Sequence, residues 1–282
     1  MSDEAMGKVS FFEKKDSICP ICEHNFRTEN FMTGGGRMNA GSLGKDLRRQ
    51  WLPSKKFGEV FPLVYYANTC PNCYYSALNH EFLKPDPKAI QGIQKTLEDR
   101  KNSVKTIFPE LDFTMPRTLK EGAASYILAI HSYQHWTGLH APSLKSGICA
   151  LRASWIFHDL HHQFPKENYD YLELILRTKA KYFYSIAIDR ETTGKESIGG
   201  VTNFGPDIDN NWGYDGVLYL SGLLEFTLGD ASDETERLKK LERARMVVAR
   251  LVGMGKSSKS KPSAILEMAK ELYHEMGAEI KE

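Results

Sequence analysis

The sequence has no apolar run approaching the roughly 18 residues that a membrane-spanning helix requires, so no membrane partner is expected. Residues 1–10 lack the apolar centre of a secretory leader, and the expected compartment is the cytoplasm. An excess of one charge is also missing. Lys and Arg number 37 against 36 Asp and Glu, a net +1, so no global field draws the chain to nucleic acid or an anionic surface. Familiar catalytic signatures are absent too: there is no Gly-x-Ser-x-Gly elbow and no His-Glu-x-x-His. Two phosphate-loop lookalikes fail. Arg250 stands where the first glycine before Gly255-Lys256-Ser257 belongs, and Asn39 where the one before Gly44-Lys45 belongs. Cysteine is scarce, with five in 282 residues.

Four of those five cysteines are paired, as Cys19-Pro20-Ile21-Cys22 and Cys70-Pro71-Asn72-Cys73. Two thiols separated by two residues bend the backbone so that both sulfurs face one point, and two such knuckles complete a tetrahedral shell. A reducing compartment favours metal over disulfide for such pairs. One structural zinc ion on Cys19, Cys22, Cys70 and Cys73 is therefore expected, with no vacancy for catalysis. His24 and His80 rank below the cysteines as ligands. The 47 residues between Cys22 and Cys70 form a long insert, whose closure cost grows only slowly with length. The fifth cysteine, Cys149, lies on an apolar stripe and reads as a small buried hydrophobe.

The fold class expected is mainly α. A small zinc-ribbon-like β region, residues 1–84, precedes an antiparallel, tetratricopeptide-like helical array, residues 85–282. Alternation and aromatic content predict a strand over residues 61–69. Helical periodicity then predicts helices near 87–107, 116–136, 143–163, 166–190, 213–228, 233–253 and 262–281. Pro87, Pro116, Pro142, Pro165 and Pro262 fall near helix starts, and Gly194 just past a helix end. The helix over 143–163 is apolar around a wide arc, which predicts neighbours on both sides. Residues 219–230 have the texture of the first helix of a tetratricopeptide repeat, with Gly222 and Gly229 as its small and turn residues. A Gly/Asn/Asp-rich loop spans about 191–212.

Cys19-Pro20-Ile21-Cys22 followed by Phe26, together with Thr69-Cys70-Pro71-Asn72-Cys73-Tyr74-Tyr75-Ser76-Ala77, resembles the bacterial domain-of-unknown-function family 2225. That resemblance implies paired Cys-Pro-x-Cys knuckles followed by tetratricopeptide-like helices, and it implies no particular activity. Family members often carry glycine directly after each second cysteine, where the knuckle favours positive φ. Here those positions hold Glu23 and Tyr74.

Three functions follow as expectations. The leading one is a non-enzymatic scaffold whose helical array binds a protein or peptide partner. The second is nucleic-acid binding through a basic insert, with Arg48, Arg49 and Trp51 as contacts and Lys256, Lys259 and Lys261 as a further basic group. The third is an enzyme whose site lies among His131, His135, His158, Asp159 and His162, since each histidine pair is one helical turn apart. Ring packing along the apolar stripe of Trp155 also accounts for His158 and His162.

Overall fold

Short strands come first in the chain and helices follow. The structure is a computed structural model that describes residues 7–230, 232–253 and 263–281. Among these are eight strands: β1 (Ser10–Phe12), β2 (Ser17–Ile18), β3 (Asn25–Phe26), β4 (Glu29–Phe31), β5 (Asn39–Leu43), β6 (Arg49–Leu52), β7 (Ala67–Thr69) and β8 (Ser76–Leu78). They pair only as antiparallel two-stranded ribbons, β1–β4, β2–β3, β5–β6 and β7–β8. The β2–β3 hairpin is nested inside the β1–β4 pair, whose register sets Ser10 opposite Phe31 and Phe12 opposite Glu29.

Eight α-helices among the described residues make the chain mainly α: α1 (Ile90–Lys95), α2 (Leu97–Lys105), α3 (Leu119–Tyr133), α4 (Pro142–Gln163), α5 (Tyr169–Thr192), α6 (Gly213–Leu228), α7 (Glu234–Gly253) and α8 (Ser263–Glu279). Their starts follow local chemistry. Thr118 and Glu121 form a reciprocal capping box on α3. Pro142 occupies the first turn of α4, where a missing N–H does no harm. Gly194 takes the left-handed φ of +69° just beyond α5. The helix expected over 87–107 is divided at Thr96 into α1 and α2. At this break the Ile93 carbonyl accepts from the Thr96 N–H, the Thr96 hydroxyl and the Arg100 guanidinium.

The strand expected over 61–69 is a correction. Residues Pro62–Tyr65 form a 3₁₀ turn, and only Ala67–Thr69 is extended. Pro62 sets the first turn, and all four turn residues are buried, so what reads as alternation in the sequence is a segment buried on every side.

α4 lies between α3 and α5 and is buried from Pro142 through Phe157. One hydrophobic core runs from Cys19 and Ile21 through Leu63, Tyr75, Leu128, Leu151 and Tyr184 to Leu224 and Met276. The ribbons join it through α3. Thr69 Oγ1 lies 3.0 Å from Ser76 Oγ and 2.9 Å from Ser125 Oγ, and the Tyr133 hydroxyl accepts from the Leu78 N–H at 3.0 Å. Lys145 and Glu81 pair in this interior, and the Lys145 ammonium lies 4.9 Å from the Trp136 ring centre. The 191–212 stretch packs against the helices. Glu196 is buried and accepts from both the N–H and the hydroxyl of Ser143, at the start of α4. At the far end, a Cβ on Gly222 would sit 2.3 Å from Val248 Cγ2, so glycine there lets α6 and α7 approach. No helix among the described residues is long and apolar enough to cross a membrane.

Candidate metal centre

Each cysteine pair forms the turn of a hairpin. Residues 19–24 link β2 to β3, and residues 70–75 link β7 to β8. The two turns share one hydrogen-bond pattern. Cys19 N donates to His24 O at 3.0 Å and Cys70 N to Tyr75 O at 2.9 Å. Glu23 N donates to Cys19 O and Tyr74 N to Cys70 O, both at 2.9 Å. The fold sets these equivalent turns face to face. The four sulfurs all lie within 4.8 Å of one another, with Cys19–Cys73 and Cys22–Cys70 each at 3.6 Å. Sulfurs about 2.3 Å from a single tetrahedral ion stand about 3.8 Å apart, so these residues fit such an ion in both donor chemistry and spacing. All five cysteines are free thiols.

Crowding splits the acidity of the cluster. Hydrogen bonds from the Cys70 and Cys73 thiols draw Cys19 down to about 2. Cys70 is pushed up to about 12, and Cys73 is pushed up as well, each chiefly by its hydrogen bond to Cys19. These four residues would hold a metal ion as thiolates, the ion taking the place of the shared protons.

Sequence reasoning missed Arg100. Only 1% exposed, it donates from Nη2 to the Cys73 carbonyl and from Nη1 to Thr96 Oγ1, both at 2.8 Å. Burial lowers its pKa, and the neighbouring Cys73 and Cys19 charges oppose that shift. A divalent ion with four thiolates carries two negative charges in excess, and a buried guanidinium beside it offsets one of them. Gln94 supports the other turn, donating from Nε2 to Ile21 O at 2.9 Å. Nothing in the local sequence marks either residue, because α1 and α2 reach the knuckles only in three dimensions.

Residues 12–276 match the family described as "Uncharacterized protein conserved in bacteria (DUF2225)". The chain belongs to this family. A protein of Borreliella burgdorferi, described as an uncharacterized protein, is 42% identical over 277 residues, covering 98% of this chain and 99% of its own length. No solved structure matches.

This DUF2225 chain keeps the knuckle backbone without the glycines. Glu23 has φ +60° and Tyr74 φ +55°, both in the left-handed region that disfavours L side chains. Glu23 is exposed. Tyr74 is buried and meets Phe113 edge-on at 5.3 Å.

The remaining candidates divide into several groups. Arg48 grips the Asp159 carboxylate with Nη2 at 2.6 and 2.7 Å, and Arg49 pairs with Asp209 at 2.8 Å. Arg48 and Arg49 thus both face carboxylates of their own chain. Trp51 is half-buried, and its indole Nε1 has no partner among the described residues. Lys256, Lys259 and Lys261 lie outside the described residues. His135 stands against Thr96 and Gly92, whereas His158 and His162 lie with Arg48, Arg49, Trp51 and Asp159 around a cavity of about 270 Å³. The insert and α4, more than 100 residues apart in sequence, therefore meet in one place. His24 and His80 are outside the four-sulfur group. Cys149 is fully buried, and burial pushes its thiol up to about 12.

Proposed function

We propose that the protein is a non-enzymatic, zinc-stapled adaptor of the cytoplasm that binds an amphipathic helix of a partner protein along α5. The observation behind this reading is an apolar stripe on the outer face of that helix. Tyr171, Leu174 and Tyr182 are 62%, 51% and 59% exposed, and Thr178 and Ser185 lie exposed between and beyond them. Steps of three, four, four and three residues keep all five on one face, and the span from Tyr171 to Tyr182 is about 16 Å at 1.5 Å per residue. A face of that length accepts two to three turns of a partner helix through its own i, i+3/i+4, i+7 positions. Large apolar groups held open on a rigid helix favour docking over solubility. Zinc is the ion that best suits four thiolates at tetrahedral spacing. The close passage of α7 over Gly222 of α6 supports reading α6 and α7 as a tetratricopeptide-like hairpin.

A photo-cross-linking residue at position 174 of the full chain would identify the occupant in the native cell. Binding of that purified partner is then measured with wild type, Leu174→Asp and Tyr182→Ser. The expected loss exceeds tenfold, about 1.4 kcal/mol, in both variants. Unchanged affinity in both overturns the α5 assignment. A purified chain whose Cys19→Ser and Cys70→Ser variants retain stoichiometric zinc overturns the zinc staple.

A further inference from the structure

The pair at the rim of the insert–α4 cavity has metal-binding geometry of its own. His158 and His162 are one turn apart on α4, and their Nε2 atoms are 3.0 Å from each other. Their ring centres are 4.5 Å apart and the ring planes cross at 79°, so the rings open away from facing Nε2 edges. The other nitrogen of His158, Nδ1, lies 3.1 Å from Oε2 of Glu173 on α5. Glu173 is in turn 3.6 Å from Arg177. A carboxylate on Nδ1 fixes the Nδ1–H tautomer, leaves the Nε2 lone pair outward and raises its basicity.

We propose that His158 and His162 form a second site, for one exchangeable divalent transition-metal ion, separate from the cysteine centre. Two imidazole nitrogens bound at about 2.0–2.1 Å in adjacent positions of one ion stand about 2.9–3.4 Å apart, and the observed separation falls in that interval. The same contact serves as a hydrogen bond, with His162 Nε2–H donating to His158 Nε2. For the ion to enter, His162 changes tautomer, its proton passing from Nε2 to Nδ1 by way of solvent, and small turns of the two rings aim both Nε2 lone pairs at one point. Asp159 is not a third ligand, because Arg48 holds both of its oxygens. No further His, Cys, Asp or Glu among the described residues joins the pair in a three-ligand group.

Two protein ligands imply an ion that exchanges, in contrast to the closed four-sulfur shell. Imidazole donors select zinc, nickel or copper over magnesium or calcium. His162 is exposed and His158 45% exposed, so the remaining coordination positions are open to water or a small ligand. Trp51 also lines the cavity they border.

The test uses the purified full-length chain with zinc already bound at the cysteines, titrated with Ni²⁺ in equilibrium dialysis. Wild type is expected to take up one further ion per chain. His158→Ala and His162→Ala are each expected to weaken that uptake at least tenfold, with far-UV circular dichroism unchanged because neither ring is in the core. His131→Ala and His135→Ala should leave it intact. Co²⁺ bound at this site should lack the thiolate charge-transfer absorption of Co²⁺ at the cysteines, which separates the two centres in one sample. No uptake beyond the cysteine centre, or uptake undiminished in His162→Ala, overturns the proposal.

Discussion

Replacing Glu23 and Tyr74 by glycine, one at a time, separates backbone strain from side-chain packing at two turns of the same geometry. Both residues sit in the left-handed region, at φ +60° and +55°, where an L side chain costs about 1–2 kcal/mol. Glycine removes that strain but returns about 0.4–1 kcal/mol through the greater freedom of its unfolded chain. Glu23 is exposed and its side chain offers little to lose, so Glu23→Gly should stabilise by about 0.5–1 kcal/mol. Tyr74 gains the same backbone relief. It also loses a ring that is 7% exposed, and truncating a buried aromatic costs about 3–5 kcal/mol. Tyr74→Gly should therefore destabilise by about 2–4 kcal/mol. The assay is urea unfolding of the zinc-saturated chain, followed by tryptophan fluorescence. Equal shifts of the same sign in the two variants would refute the reasoning, as would a Glu23→Gly chain less stable than wild type.

Two further predictions concern Arg100 and His131. Arg100→Met should keep all four thiols in place yet weaken retention of the cysteine-bound ion about tenfold, measured by competition with a chelator; unchanged retention would show that the guanidinium serves only α1 and α2. Burial holds His131 below the ordinary imidazole range, with the Lys179 and Arg100 charges adding to the effect. The folded chain thus keeps this ring neutral. Its contribution to stability is intact above the unfolded value of about 6.5 and is lost as pH falls through the depressed folded value. The thermal midpoint of wild type should drop more between pH 7 and pH 5 than that of His131→Asn, and parallel drops would contradict this assignment.

What the sequence makes legible is local. The helices announce themselves because Pro142 in a first turn, prolines a few residues ahead of other helices, apolar stripes and Gly194 act close to where they stand. The cysteine quartet is legible because two-residue spacing is itself the geometry of a knuckle. Arg100 is not, since its meaning depends on α2 passing beneath Cys73. The meeting of Arg48 with Asp159 is equally hidden, as two charged residues 111 positions apart look like separate surface groups until the insert folds onto α4. The segment Pro62–Tyr65 misleads for a related reason: a 3₁₀ turn buried on every side shows the same dense apolar lettering as a strand.

An ion held by the two knuckles would make the chain between them a closed ring. Once an ion joins Cys22 to Cys70, the intervening insert can no longer be lost from the structure by fraying at one end, whatever its length. The cost of closing a ring rises only about 0.6 kcal/mol for each doubling of its size. Gly34, Gly35 and Gly36, all at positive φ, form a tip between β4 and β5, and added Cβ atoms on Gly34 and Gly36 would meet nothing within 4 Å. That tip is where the ring can take additional residues, so a longer or shorter insert there leaves the cysteine quartet and the Arg48–Asp159 pair in place.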